Sequence, residues 1–104
     1  MLETLFSQVK RKLNVTWEDE ETTARINDII RSAIPDLSHK LGITDKDFDF
    51  SAAGAENTLF LAYCLYDWNH SLNEFEDNYH SMIMQVRARY EVENYLNSEG
   101  SESE

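Results

Sequence analysis

The sequence predicts an all-α protein, a small bundle of about four helices with a long C-terminal helix, and three observations carry that reading. The 104 residues contain only three Gly and one Pro, which leaves few places for tight turns. Apolar residues recur at steps of three and four in four separate segments. The composition, 41% hydrophobic and 28% charged, is that of a globular chain. At this length one core must serve, burying roughly two-thirds of the unfolded surface. The expected organisation is a single domain over 1–96 and a disordered acidic tail over 97–104, where NSEGSESE offers nothing to pack.

The first helix follows from Leu2, Leu5, Phe6, Val9 and Leu13, an apolar stripe with Glu3, Gln8 and Lys12 between. Asn14, Val15 and Thr16 interrupt it. Thr16 or Asp19 can then cap a second helix, whose first turn holds Glu18, Glu20 and Glu21, where acids suit the positive end of the helix dipole. Ile26, Ile29, Ile30, Ala33, Ile34, Leu37 and Leu41 keep one face through Pro35 to a stop at Gly42. A kink is expected near Arg31 to Pro35, because proline removes a backbone hydrogen bond and crowds the preceding turn. From Ile43 to Gly54 the periodicity lapses, and Phe48 and Phe50, alternating with acids, should anchor a long connection. The third helix, about Glu56 to Asn69, is apolar nearly all round and must be central. The fourth, about Asn73 to Leu96, places Phe75, Tyr79, Met82, Ile83, Val86 and Tyr90 on one stripe.

Several function classes lose support from composition. Nine Lys and Arg against twenty Asp and Glu give a net charge of -11, the wrong sign for gripping a phosphate backbone. Lys10, Arg11 and Lys12 form the only basic cluster, whereas five acids and no base follow from Glu91 onward. Cys64 is the sole cysteine and sits in the apolar run LFLAYCLY, where it reads as core filler rather than as a catalytic thiol. No apolar run approaches the roughly 18 residues of a membrane span, and the N-terminus lacks a signal peptide's uninterrupted apolar centre, so a soluble protein made in a cytoplasm, without a membrane partner, is expected.

The stretch YDWNHSLNEFEDNYH repeats Asp-x-x-His, as Asp67 with His70 and Asp77 with His80, and invites comparison with di-metal carboxylate bundles. Those bundles place Glu in mid-helix around a buried centre and draw carboxylates from other helices. Short Asp side chains near a solvated turn fit polar faces of an aromatic hairpin better, and no metal site is expected. Ser71 and Ser81 lie near histidines, but neither a nucleophile elbow nor a nucleotide-binding glycine motif is present, so no catalytic residues and no cofactor are expected. Twelve aromatic residues exceed what such a core readily hides, and partly exposed Tyr and Trp commonly anchor interfaces.

Two segments then resemble a known family. VKRKLNVTWEDEETTARINDIIRSAIPDLSHKLGI runs from a short helix through an acidic cluster into a long helix of the form I-x-x-I-I-x-x-A-I-P. ENTLFLAYCLYDWNHSLNEFEDNYHSMIMQVRARYEVE is an aromatic hairpin with an asparagine-rich turn, followed by a helix bearing Phe75, Tyr79, Ile83, Arg87 and Tyr90. Their succession, covering about Val9 to Tyr95, resembles the small head-tail connector proteins of tailed phages, also called adaptors. Many relatives carry an aromatic residue just after the Ala-Ile-Pro step, where this chain has Asp36 and Leu37.

The resemblance implies a structural virion protein without an active site. Such a protein assembles as a homo-oligomeric, twelve-fold ring beneath the portal protein, extends the DNA channel, and offers its far side to a stopper or tail-completion protein. DNA would pass without specific binding, since an acidic wall repels phosphates. The resemblance places the chain at the head-tail interface of the virion, after assembly in the bacterial host cytoplasm. By family analogy the portal contact falls on Arg87, Arg89, Tyr90, Tyr95 and Leu96. Lys10, Arg11 and Lys12 against Glu18, Asp19, Glu20 and Glu21 form a candidate pair across subunits, with ordinary solvated charge as the alternative. The rival reading is an acidic inhibitor that mimics DNA and binds a nucleic-acid enzyme.

Overall fold

The computed structural model describes the backbone of residues 1–102 and the side chains of residues 1–96. The described residues form four helices and no strand: α1 (Leu2–Lys12), α2 (Glu20–Leu41), α3 (Ala55–Trp68) and α4 (Leu72–Glu102). The predicted all-α bundle is therefore the fold observed. The expectation of a disordered tail over 97–104 lies outside the residues whose side chains are described.

Helices α2 and α3 form the central pair, each packed against the other three elements. Helices α1 and α4 lie against that pair and share no contact among the described residues. The apolar girth of α3 explains its place, since Leu59, Phe60, Ala62, Tyr63 and Cys64 are all buried. Around them close Leu5 and Val9 of α1, Ile26, Ile30, Ala33 and Leu37 of α2, and Phe75, Ile83 and Val86 of α4. Among the described residues no charged side chain is buried, and the buried Tyr63 hydroxyl donates to Asp36 at 2.6 Å, so packing of apolar surface dominates the core.

Of the two N-cap candidates, Asp19 caps α2: its carboxylate accepts from the backbone N–H of Thr22 at 2.7 Å. Gly42 ends the helix at φ 76°, in the left-handed region that glycine enters without steric cost. The connection from Ile43 to Gly54 is pinned by its rings, as expected. Phe48 meets Phe50 edge-on at 4.9 Å, Phe50 packs on Phe60 at 5.0 Å, and Asn57 donates to the Phe50 carbonyl at 2.8 Å.

Helix α2 continues through Pro35 as a single helix, as expected, and the residue with non-helical dihedrals inside a helix is Tyr79 of α4 (φ -113°, ψ 15°), which the sequence did not announce. Pro35 lies on the exposed side of α2, where water can take up the carbonyl that its missing N–H leaves unpaired. At Tyr79 the ring stacks on Phe75 at 5.4 Å and meets Tyr66 edge-on at 5.9 Å, so the break falls within an aromatic cluster. The helical backbone of α4 runs from Leu72 to Glu102, 31 residues with the break at Tyr79, in a molecule whose longest dimension is 55 Å.

Candidate interaction surfaces

The histidine pairs of the α3–α4 turn do not form a shared centre. His70 occupies the turn at φ 59°, and its Nε2 lies 3.3 Å from the Arg25 guanidinium. Arg25 also donates to the Trp68 carbonyl at 2.6 Å and stacks over the Trp68 ring at 4.1 Å. That corner of the fold is thus an arginine clamp joining α2 to the end of α3. Among the described residues no three His, Cys, Asp or Glu side chains gather as a metal-binding group. Burial, with Asp67 nearby, pushes the Cys64 thiol up to about 12, so the thiolate a nucleophile requires is scarce near neutral pH.

The residues assigned to a portal contact divide into two groups. Arg87 donates to the Lys40 carbonyl at 3.0 Å and to Glu91 at 2.9 Å, so it covers the C-terminal carbonyls of α2. Arg89 and the Tyr90 hydroxyl both donate to Glu56 Oε2, each at 2.8 Å. Burial opposes ionisation of Glu56, but the hydrogen bonds from Tyr90 and Arg89 outweigh it and hold the carboxyl below its usual range. These three residues are thus occupied within the chain. Tyr95 and Leu96 are not: they are 65% and 58% exposed.

The cluster assigned to a subunit contact divides as well. Lys10 pairs with Glu18 at 3.3 Å in the same chain, and Asp19 serves as a cap. Arg11 and Lys12 line a groove between α1 and α3 with Gln8, Asn57 and Leu61. Glu18, Asp19 and Glu20 line an acidic groove with Asp28 and Arg31 of α2. Trp17 is 51% exposed beside it, its indole N–H donating to Thr22.

One surface escaped the sequence reading. Met84, Ala88 and Val92 are exposed, as are Tyr95 and Leu96, and at 3.6 residues per turn the five fall in one sector about 120° wide. That sector lies opposite the Ile83, Val86 and Tyr90 face that α4 turns inward. The signal was the step of four from Met84 through Ala88 and Val92 to Leu96, masked by the stronger aromatic stripe. Asn94 donates to the Gly42 carbonyl at 3.2 Å, and beyond it α4 continues to Glu102. Comparisons of the chain with protein-family models, with curated proteins and with solved structures found no match.

Proposed function

We propose that this chain is a head-tail connector, a structural subunit that forms a ring beneath a phage portal and extends the DNA channel. The observation that carries the reading is the far end of α4, where Tyr95 and Leu96 stand exposed past the helix's last tie, from Asn94 to the Gly42 carbonyl. Apolar side chains on a helix end outside the core suit a subunit that completes its packing on a partner. The net charge of -11 supports the same reading, because an acidic channel lets phosphates slide past without sticking. With Arg87, Arg89 and Tyr90 engaged inside the chain, the portal contact narrows to Tyr95 and Leu96. No helix of the described residues is long and apolar enough to cross a membrane, which suits a subunit of a virion.

Negative-stain imaging of the purified chain with its cognate portal tests the proposal. Rings seated on the portal are expected, and Tyr95→Ser with Leu96→Ser should remove them. A chain that leaves the portal bare overturns the reading. The acidic groove of Glu18, Asp19, Glu20 and Asp28 favours one rival, the DNA mimic. Stoichiometric capture of a nucleic-acid enzyme, competed by duplex DNA, would replace the connector with that inhibitor.

A further inference from the structure

The outer face of α4 carries a charge pattern as well as an apolar one. Arg87 and Glu91 stand along one edge of the Met84–Ala88–Val92 stripe, and Arg89 and Glu93 along the other. On each edge a cation is followed four residues later by an anion, so RARYEVE, residues 87–93, reverses its charge about Tyr90. Such a face is complementary to itself only when turned end for end. A two-fold axis crossing α4 at the level of Tyr90 sets Ala88 against Val92 of a second copy, and Met84 against Leu96 of that copy. It also carries each charged edge onto itself in reverse. Arg87 then approaches Glu91 of the second copy, and Arg89 approaches Glu93. A parallel pair in register would bring cations to cations and anions to anions, which disfavours it.

We infer that the outer face of α4 is the interface of an antiparallel homodimer, α4 on α4, formed by the chain when it is free. The inward ties do not prevent this. Arg87 and Arg89 are half-exposed at their existing pairs, and Glu93 is exposed with no cation within ion-pair distance among the described residues. The small side chain of Ala88 at the middle of the stripe lets the two helices approach closely. From Met84 to Leu96 the seam is about 18 Å long, so the interface belongs to the small, transient class, with a dissociation constant on the order of 10 to 100 µM. The inference does not rest on the connector reading, since it concerns the chain without a portal and centres on Met84, Ala88 and Val92, which lie outside the proposed portal contact of Tyr95 and Leu96, Leu96 alone being common to both.

Sedimentation equilibrium of the full chain, over about 5 µM to 1 mM to bracket the expected dissociation constant, should show monomer passing to dimer. Val92→Glu should raise that constant at least about tenfold with an unchanged melting temperature, because Val92 is 59% exposed and outside the core. Orientation is read by oxidative cross-linking. A mixture of Ala88→Cys and Val92→Cys chains should link heterotypically faster than either variant links to itself. A monomer throughout, a dimer indifferent to Val92→Glu, or faster Ala88-to-Ala88 linking would each overturn the inference. A failed dimer would leave portal docking, measured by imaging, unaffected.

Discussion

Phe75 is fully buried and touches three other rings, Tyr63 at 5.4 Å, Tyr66 at 6.0 Å and Tyr79 at 5.4 Å. Phe75→Ala should cost about 3 to 5 kcal/mol, and the half-buried Trp68→Ala and Tyr79→Ala somewhat less. His70→Ala and His80→Ala should lie within about 1 kcal/mol of the parent, because both histidines are exposed and outside the core. Urea melts of the five variants check the order. Equal midpoints would mean that the aromatic cluster is not the keystone of the α3–α4 hairpin. Gly42→Ala offers a separate case: the added Cβ would meet Tyr90 Cβ at an ordinary 3.7 Å, so its cost, about 1 kcal/mol, comes from the backbone at φ 76° and not from crowding.

Glu56 joins the start of α3 to the far half of α4 through Arg89 and Tyr90. A carboxyl held low in the folded state contributes stability that is present above its unfolded value, 4.5, and is lost as pH falls through the folded value. The melting temperature of the parent should therefore exceed that of Glu56→Gln at neutral pH, and the gap should close below about pH 4. A constant gap would assign the tie to shape instead of charge. The element boundaries were legible in the sequence because each rests on local chemistry: the Asp19 cap, the Gly42 stop, the all-apolar α3. The break at Tyr79 was not, since neither Gly nor Pro marks it and the cause is a cluster assembled from two helices. The helical course through Pro35 was legible, because the apolar face of α2 keeps its steps of three and four across it. At the candidate surfaces the sequence supplied Tyr95 and Leu96, whereas the engagement of Arg87, Arg89 and Tyr90 depends on Glu56 and Lys40, more than thirty residues away.

The whole molecule carries a charge of -11 with six ion pairs among the described residues, and most of those pairs are exposed. Self-repulsion should outweigh the screened pairs, so raising salt from about 10 mM to 200 mM should lift the melting temperature by a few degrees. A fall would show that the ion pairs dominate. Cys64 reports on the same scale by another route. It is completely enclosed in the interior of α3, away from either helix end, so no fraying of a helix end uncovers it. A disulfide reagent should therefore modify the native chain only as often as the entire bundle comes apart, and the speed of that reaction becomes a stopwatch for unfolding that nature has already installed.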